Sequence, residues 1–197
     1  MKQILYKILF KKNIKEINQL YEQNSFLYNQ INELKSQNED YLQLINEANR
    51  LVEIGYELYS LKKTKYGEWV ICYGRTTTSS VDGTINYEFY ISPIYSTEKV
   101  LMMFIEHDKA KKHLDIIDIQ MSEKNCSKGY GTIAMERLFH LVDNWRIERI
   151  TGMQYYESYE NKQRQDRYYQ KFCFRIVNGA LIWDKEKDLH PFKETTS

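Results

Sequence analysis

A seven-residue repeat over residues 17–52 constrains the fold more than any other feature of this sequence. Position a of the repeat falls on Ile17, Asn24, Ile31, Asn38, Ile45 and Val52, and position d on Leu20, Leu27, Leu34, Tyr41 and Ala48. Nine of these eleven positions are apolar, and only a repeat of 3.5 residues keeps such a seam facing a partner over this length. The pattern predicts a long N-terminal helix that forms a coiled coil.

The two polar residues of the seam, Asn24 and Asn38, both occupy position a. Asparagine at this position pairs across a parallel two-stranded seam at some cost in stability, so the repeat predicts a parallel homodimer. The flanking e and g positions offer little complementary charge to support the orientation. The alternative is an amphipathic helix that lies on the chain's own globular domain.

Length and charge restrict the remaining possibilities. The chain has 197 residues and a formal net charge of +1, which suits one domain with an extension. We expect a helical segment over 1–58 and a globular domain over 59–197. A near-neutral chain gives no electrostatic reason to expect nucleic acid as a partner. Membrane attachment is not expected either, because the N-terminal apolar stretch is short and is interrupted by Lys7.

The cysteines indicate neither a disulfide framework nor a metal site. Cys72, Cys126 and Cys173 are odd in number and far apart, and no CxxC pair or Cys/His cluster is present. We therefore expect no bound metal. A reduced, cytoplasmic setting is the simplest interpretation.

After residue 66 the composition changes to one rich in β-branched and aromatic residues. The turn signal at 79–84 predicts a hairpin between strands at 68–76 and 85–95. Residues 99–107 are interpreted as a strand, although a short helix is also possible there. The remaining pattern predicts strands at 113–121 and 147–155, helices at 129–145 and 161–172, and a closing hairpin at 174–185. This order predicts an α/β (α+β) domain.

The stretch CSKGYGT at 126–132 lies between a predicted strand and a predicted helix. The first backbone N–H groups of a helix have no partners within it, and glycine lets the backbone close on a bulky anion. The stretch matches neither a P-loop nor a Rossmann fingerprint. On its own it is either a phosphate-binding loop or a simple turn.

A second motif one strand and one helix later favours the first interpretation. Cys126-Ser-Lys-Gly129-Tyr-Gly131 is similar to the [RQ]xxGxG loop of the GNAT superfamily of N-acyltransferases, and Tyr169-Gln-Lys171-Phe-Cys173-Phe174 is similar to that family's YxKxGF signature. The resemblance covers the C-terminal two-thirds of the chain. It implies a mixed sheet flanked by helices, with early helices supplied by residues 40–60. Cys126 departs from the family's Arg or Gln, and Cys173 departs from its Gly.

The resemblance implies an N-acetyltransferase that uses acetyl-CoA or another acyl-CoA. The pantetheine arm would lie beside the strand that ends at Met121. The pyrophosphate would lie on the loop that begins with Cys126 and Ser127, bound by the N–H groups of Lys128, Gly129, Tyr130, Gly131 and Thr132. A thiol at a helix N-terminus can have a lowered pKa, so Cys126 is either reactive or a small, semi-buried structural residue.

The resemblance also implies a catalytic acid. Tyr169 would protonate the departing thiolate, since a phenol holds its proton at neutral pH. Tyr168 is the competing residue, because adjacent aromatic side chains are not expected to point into one site together. Asp118 is the candidate base, and it would need burial to raise its pKa. A water relay would serve equally well.

The acceptor is expected to be an amine on a small molecule or on a protein or peptide. Glu157 and Glu160 could attract a cationic amine, although surface carboxylates commonly have no such role. The alternative function is a catalytically inactive GNAT-like binding module within a coiled-coil interaction protein. The departures at Cys126 and Cys173 keep this alternative open.

Overall fold

The computed structural model describes the backbone of residues 2–79, 83–96 and 98–192, and side chains from residue 18 onward within those ranges. The chain divides into two compact units, Met1–Asn46 and Glu47–Ser197. Helix α1 (Lys2–Glu53) contains all the described residues of the first unit and the start of the second. No helix of the described residues is both long enough and apolar enough to cross a bilayer.

Helix α1 runs for 52 residues without Gly or Pro, as the sequence predicted. From residue 18 to residue 52, the large apolar side chains of the predicted seam are between 49% and 61% exposed in the single chain; these are Leu20, Leu27, Ile31, Leu34, Tyr41, Ile45 and Val52. The side chain of Ile17 lies outside the described set. The coiled coil itself stays a prediction.

The second unit contains an eight-stranded mixed sheet. Its order is β1-β2-β3-β4-β5-β6-β8-β7, and all neighbours are antiparallel except β5 and β6. Helix α2 (Tyr130–Asn144) connects that parallel pair, and α3 (Tyr159–Lys171) follows β6. The strands are β1 (Glu57–Lys63), β2 (Trp69–Thr78), β3 (Ile85–Pro93), β4 (Leu101–Asp108), β5 (His113–Gln120), β6 (Arg149–Met153), β7 (Arg175–Val177) and β8 (Ala180–Asp184).

Most of the predicted elements of this unit are confirmed. The hairpins β2–β3 and β7–β8, the strand assignment of 99–107 and the helices α2 and α3 all form as expected. Residues 80–82 of the predicted hairpin turn lie outside the described residues. Residues 40–60 do not supply separate helices, because α1 continues to Glu53 and the unpredicted strand β1 begins at Glu57.

One face of the sheet carries the core. Alternate residues of β3 and β4, including Phe89, Met103 and Ile105, are buried on this face. Helix α2 packs against β3 and β4, and α3 packs against β7. The apolar side chains of α2 that were predicted at helical spacing are all buried: Ile133, Leu138, Leu141 and Val142. Burial of each large apolar side chain stabilises the fold by about 1.5–3 kcal/mol. This packing fixes α2 against the sheet and so positions the loop that precedes α2.

Candidate functional site

The loop before α2 leaves the N-terminus of that helix open. Gly129 is its N-cap residue, with φ 101°, and no side chain caps the helix. Only glycine adopts such a φ without strain. Thr132 and Ile133 both donate their N–H to the Gly129 carbonyl, at 3.1 and 3.2 Å, so Thr132 is not the free donor that we expected. The N–H groups of Tyr130 and Gly131 lie in the first turn, where the helix has no carbonyl acceptor for them. They therefore indicate an anion site.

The buried side chain of Asn125 supports the loop through two hydrogen bonds. This residue was not identified from the sequence. It is 4% exposed and ends a short 3₁₀ turn, Glu123–Asn125. Its Nδ2 donates to the Ser122 hydroxyl at 3.0 Å, and its Oδ1 accepts from the Lys128 ammonium at 3.3 Å. The Lys128 side chain is therefore bonded within the loop. An asparagine in a polar loop is the only sequence signal for this role.

Tyr130 contributes to the site through its backbone position alone. Its ring is 1% exposed, in the core, and its hydroxyl donates to the Glu68 carboxylate in the turn between β1 and β2. The same turn brings the backbone nitrogen of Lys65 to 3.5 Å from where a Cβ on Gly129 would lie. The unpredicted hairpin β1–β2 therefore forms one wall of the loop.

Strands β5 and β6 separate beside this loop. Their parallel pairing ends at Ile116 and Gly152, while β5 continues to Gln120 without β6 as a neighbour. A cavity of about 1250 Å³ opens there. It is lined by six of the predicted cofactor-binding residues, namely Met121, Cys126, Ser127, Gly129, Gly131 and Thr132. Lys128 and Tyr130 do not line it.

Cys126 lies on the cavity wall but not at the helix N-terminus. It follows the 3₁₀ turn, three residues before the N-cap Gly129 of α2. Its thiol is half-buried and donates to the Ser122 carbonyl at 3.7 Å. The residues from Ser127 to Gly129 turn the chain between Cys126 and the helix, so Cys126 lies at the start of the loop, as predicted, and not at the helix N-terminus that its reactive alternative assumed.

Tyr169 projects into the cavity from α3. It is 7% exposed, lines the cavity, and its hydroxyl has no hydrogen-bond partner among the described residues. Burial raises its pKa to about 12, and the negative charge of Asp118 contributes in the same direction. A hydroxyl on a cavity wall without a protein partner is available to a ligand.

Tyr168 also lines the cavity, contrary to the expectation that only one of these adjacent rings would do so. Its hydroxyl, however, donates to the Gly131 carbonyl at 2.8 Å. The two rings are edge-to-face, with centroids 5.1 Å apart. The Tyr168 hydroxyl is therefore hydrogen-bonded to the loop, whereas the Tyr169 hydroxyl has no partner among the described residues.

Asp118 lies on the cavity wall in an exposed position and accepts a hydrogen bond from Gln120 at 2.6 Å. The burial that a base at this position would need is absent. Asp115 is engaged elsewhere: it accepts from the Thr151 hydroxyl on β6 at 2.7 Å, and that hydroxyl also contacts His113 at 2.8 Å. These contacts join β5 to β6 just below their separation.

Two lysines supply positive charge near the open helix N-terminus. The ammonium of Lys171 donates to the Thr132 hydroxyl at 3.4 Å, and Lys65 lines the same cavity. Neither forms an ion pair with a carboxylate of the described residues. No group of His, Cys, Asp and Glu side chains in that part of the chain could hold a metal ion. The site therefore suits a phosphate-bearing organic ligand.

Cys173 stands where the family signature has glycine, and its backbone has the glycine-like φ of 63°. It follows the end of α3, where its N–H bonds to the Gln170 carbonyl and the Phe174 N–H bonds to the Tyr169 carbonyl. This is the Schellman arrangement that usually carries glycine at this position. The family's geometry is therefore kept with a different side chain.

Comparison with solved structures agrees with this geometry. The chain is similar to a cAMP-binding acyltransferase from Mycobacterium smegmatis, with a TM-score of 0.50 and 9% identity over 73% of this chain and 52% of that one. It is also similar to a GNAT family acetyltransferase from Elizabethkingia anophelis with acetyl-CoA bound (TM-score 0.41, 16% identity, 50% of this chain and 76% of that one). The second unit therefore has an acyltransferase-like fold.

The chain is also similar to a spermidine N-acetyltransferase from Vibrio cholerae, with a TM-score of 0.41 and 12% identity over 52% of this chain and 66% of that one. At these identities the likeness is one of fold. The chain spans about half of the mycobacterial acyltransferase. No protein-family model matches this sequence, and no curated protein sequence matches it either.

Proposed function

We propose that the second unit transfers an acetyl group from acetyl-CoA to an amine. The observation that carries this proposal is Tyr169, whose side chain is 7% exposed and lines the cavity beside an open helix N-terminus, and whose hydroxyl has no hydrogen-bond partner among the described residues. An anion site and a proton donor on one cavity are what acyl transfer from CoA requires.

The residues present fit the cofactor. The N–H groups of Gly129, Tyr130 and Gly131 would hold its pyrophosphate, and the ammonium groups of Lys65 and Lys171 would supply the charge that Cys126 does not. The edge of β5 beyond Ile116, where β6 no longer lies alongside, offers backbone groups for the pantetheine amides.

Acetyl-CoA, when bound, supplies an activated thioester for direct attack by the amine. Tyr169 holds a proton at neutral pH, because its pKa is about 12, and would donate that proton to the departing sulfur. Part of the pKa rise comes from Asp118. A positive charge bound beside Asp118 would offset this carboxylate and remove that smaller part of the rise, while the larger part, caused by burial, would remain. The acceptor's proton would leave through a water molecule, because Asp118 is exposed and lacks the burial that a base at this position would need.

The decisive measurement is free CoA release with a panel of amines. Replacement of Tyr169 by Phe should lower kcat by about 10²-fold or more, since general acid catalysis contributes about that much, while acetyl-CoA still binds by calorimetry. Tyr159→Phe is the matched control, because Tyr159 lies on the same helix but is 72% exposed and away from the cavity. Equal kcat for wild type and Tyr169→Phe would contradict the assignment.

An inactive binding module is the second candidate function. The substitutions at Cys126 and Cys173 and the exposure of Asp118 favour it. Acetyl-CoA binding alone does not separate the two functions, because an inactive domain can keep its ligand. Binding without CoA release for any amine in the panel would select the module.

We further propose that α1 dimerises the protein as a parallel coiled coil. The exposed apolar seam from Leu20 to Val52 supports this, since a partner helix would bury it. Sedimentation should show a dimer. Asn24→Ile combined with Asn38→Ile should raise thermal stability and loosen the preference for two strands. A monomeric wild type would contradict the proposal.

A further inference from the structure

A β-bulge aligns acidic side chains on the sheet face opposite the core. Phe104 of β4 pairs with Asp118, but the next residue, Ile105, pairs with Ile116, so β5 carries an extra residue between them. Without the extra residue, Asp115 and Asp118 would lie on opposite faces. With it, both lie on one face together with Glu106, which pairs directly with Asp115. We call Glu106, Asp115 and Asp118 the acidic face.

The cavity reaches from Asp118, at one end of the acidic face, to the predicted cofactor loop, while Glu106 and Asp115 do not line it. Asp118 and Gln120 line it from β5, and Gly131, Thr132 and Tyr169 line it from the two helices on the core side. The separation of β5 and β6 beyond Ile116 makes this connection possible. A ligand group bound beside Asp118 therefore has access to Tyr169.

The charges of the acidic face are only partly compensated. Glu106 is exposed and makes no hydrogen bond or ion pair with the described residues, although it lies directly across from Asp115. Like charges in this arrangement destabilise a sheet. An independent observation in the cavity beside Asp118 also points to a ligand: the Tyr169 side chain is more than nine-tenths buried, lines the cavity, and its hydroxyl has no hydrogen-bond partner in the described part of the chain.

Lys99 lines the same cavity but does not neutralise this face. Its ammonium lies 3.7 Å from the centre of the Tyr90 ring on β3 and 3.5 Å from the Tyr56 hydroxyl. Strand β4 separates β3 from β5, so this cation is held away from Asp118. The acidic face remains open to an external cation.

We propose that the acceptor is a polycationic amine, in which one nitrogen reacts beside Asp118 while a second ammonium binds Glu106 and Asp115. This inference rests on the proposed acetyl transfer. The two charges of the acceptor would lie about 7 to 10 Å apart, the length of three residues along β5 shortened by the bulge. A linear polyamine has this spacing, and so does a lysine beside other basic residues in a peptide.

The test compares a six-carbon straight-chain diamine with the monoamine of the same length. The ratio of their kcat/KM values should favour the diamine by about fivefold or more, and Glu106→Gln should reduce this ratio by about twofold to fivefold, as expected for loss of one exposed ion pair. Asp108→Asn is the matched control, since Asp108 lies two residues further along β4 and pairs with Lys111 instead. It should leave the ratio unchanged. The same assay with a basic peptide that contains lysine, in place of the diamine, shows whether the acceptor is a linear polyamine or a peptide.

Binding provides a readout that does not depend on turnover. The diamine is titrated calorimetrically into the protein with and without saturating CoA, and Glu106→Gln should weaken its affinity by the same factor. Equal use of monoamine and diamine, or a diamine affinity insensitive to Glu106→Gln, overturns this inference and leaves the acetyl transfer intact. Failure of acetyl-CoA to bind overturns the proposed function instead. In that case the titration of the diamine without CoA still shows whether the acidic face binds a polycationic amine.

Discussion

The hydroxyl of Tyr168 donates to the backbone carbonyl of Gly131 at 2.8 Å, and its ring lies so close that a Cβ at position 131 would be 2.7 Å from its Cε2. This contact joins the C-terminal half of α3 to the first turn of α2. The second glycine of the GxG loop is therefore required by packing as well as by a ligand's approach.

Gly131→Ala should force Tyr168 away from α2. We expect the free energy of unfolding to fall by about 1–3 kcal/mol, as for other overpacked sites, and acetyl-CoA affinity to fall because the first turn of α2 moves. Urea unfolding and calorimetry measure the two effects. Unchanged stability in Gly131→Ala would show that this contact is not rigid.

Tyr169 should make stability depend on pH in the alkaline range. Its pKa is raised to about 12 in the folded state, against about 10 in an unfolded chain. Its contribution is fully present below pH 10 and is lost between about pH 10 and 12, at up to about 1.4 kcal/mol per pH unit, as the unfolded chain ionises first. Urea unfolding at about pH 9 and about pH 11 should show a steeper loss for wild type than for Tyr169→Phe. Identical losses would mean that the phenol is not desolvated.

Cys173→Gly should stabilise the protein. A non-glycine residue at φ 63° is strained by about 1 kcal/mol or more, and the Schellman arrangement favours glycine there. Cys173→Ala is the matched control, because it removes the thiol but keeps the Cβ. We expect the glycine variant to be about 1 kcal/mol more stable than the alanine variant in urea unfolding. The reverse order would place the strain elsewhere.

Acetyl-CoA should protect Cys126 from alkylation. The Cys126 thiol is half-buried on the cavity wall, so a bound cofactor would restrict access to it. Cys72 provides an internal reference, since burial raises its pKa to about 11 and keeps it unreactive. Mass spectrometry of the labelled peptides gives the rates. Equal labelling of Cys126 with and without cofactor would contradict its place in the cofactor site.

Local patterns in the sequence were sufficient for most elements of the fold. The Asn178-Gly179 pair predicted the β7–β8 hairpin, and the spacing of Ile133 and Leu138 predicted α2, because turn geometry and helical period depend on neighbouring residues. Strand β1 was missed. Its alternation is weak, since β1 lies at the sheet edge and most of its residues are exposed or half-buried, so no burial pattern marks it.

The candidate site depended more on tertiary structure. The GxG loop and Tyr169 were predicted from two short motifs and from the family resemblance that these motifs carry. The sequence alone did not show that Tyr168 bonds to Gly131, that Asn125 supports the loop, or that a bulge brings Asp118 onto the same face as Asp115. Each of these depends on the register and packing of elements that are distant in sequence, and one extra residue in a strand reverses which face its side chains occupy.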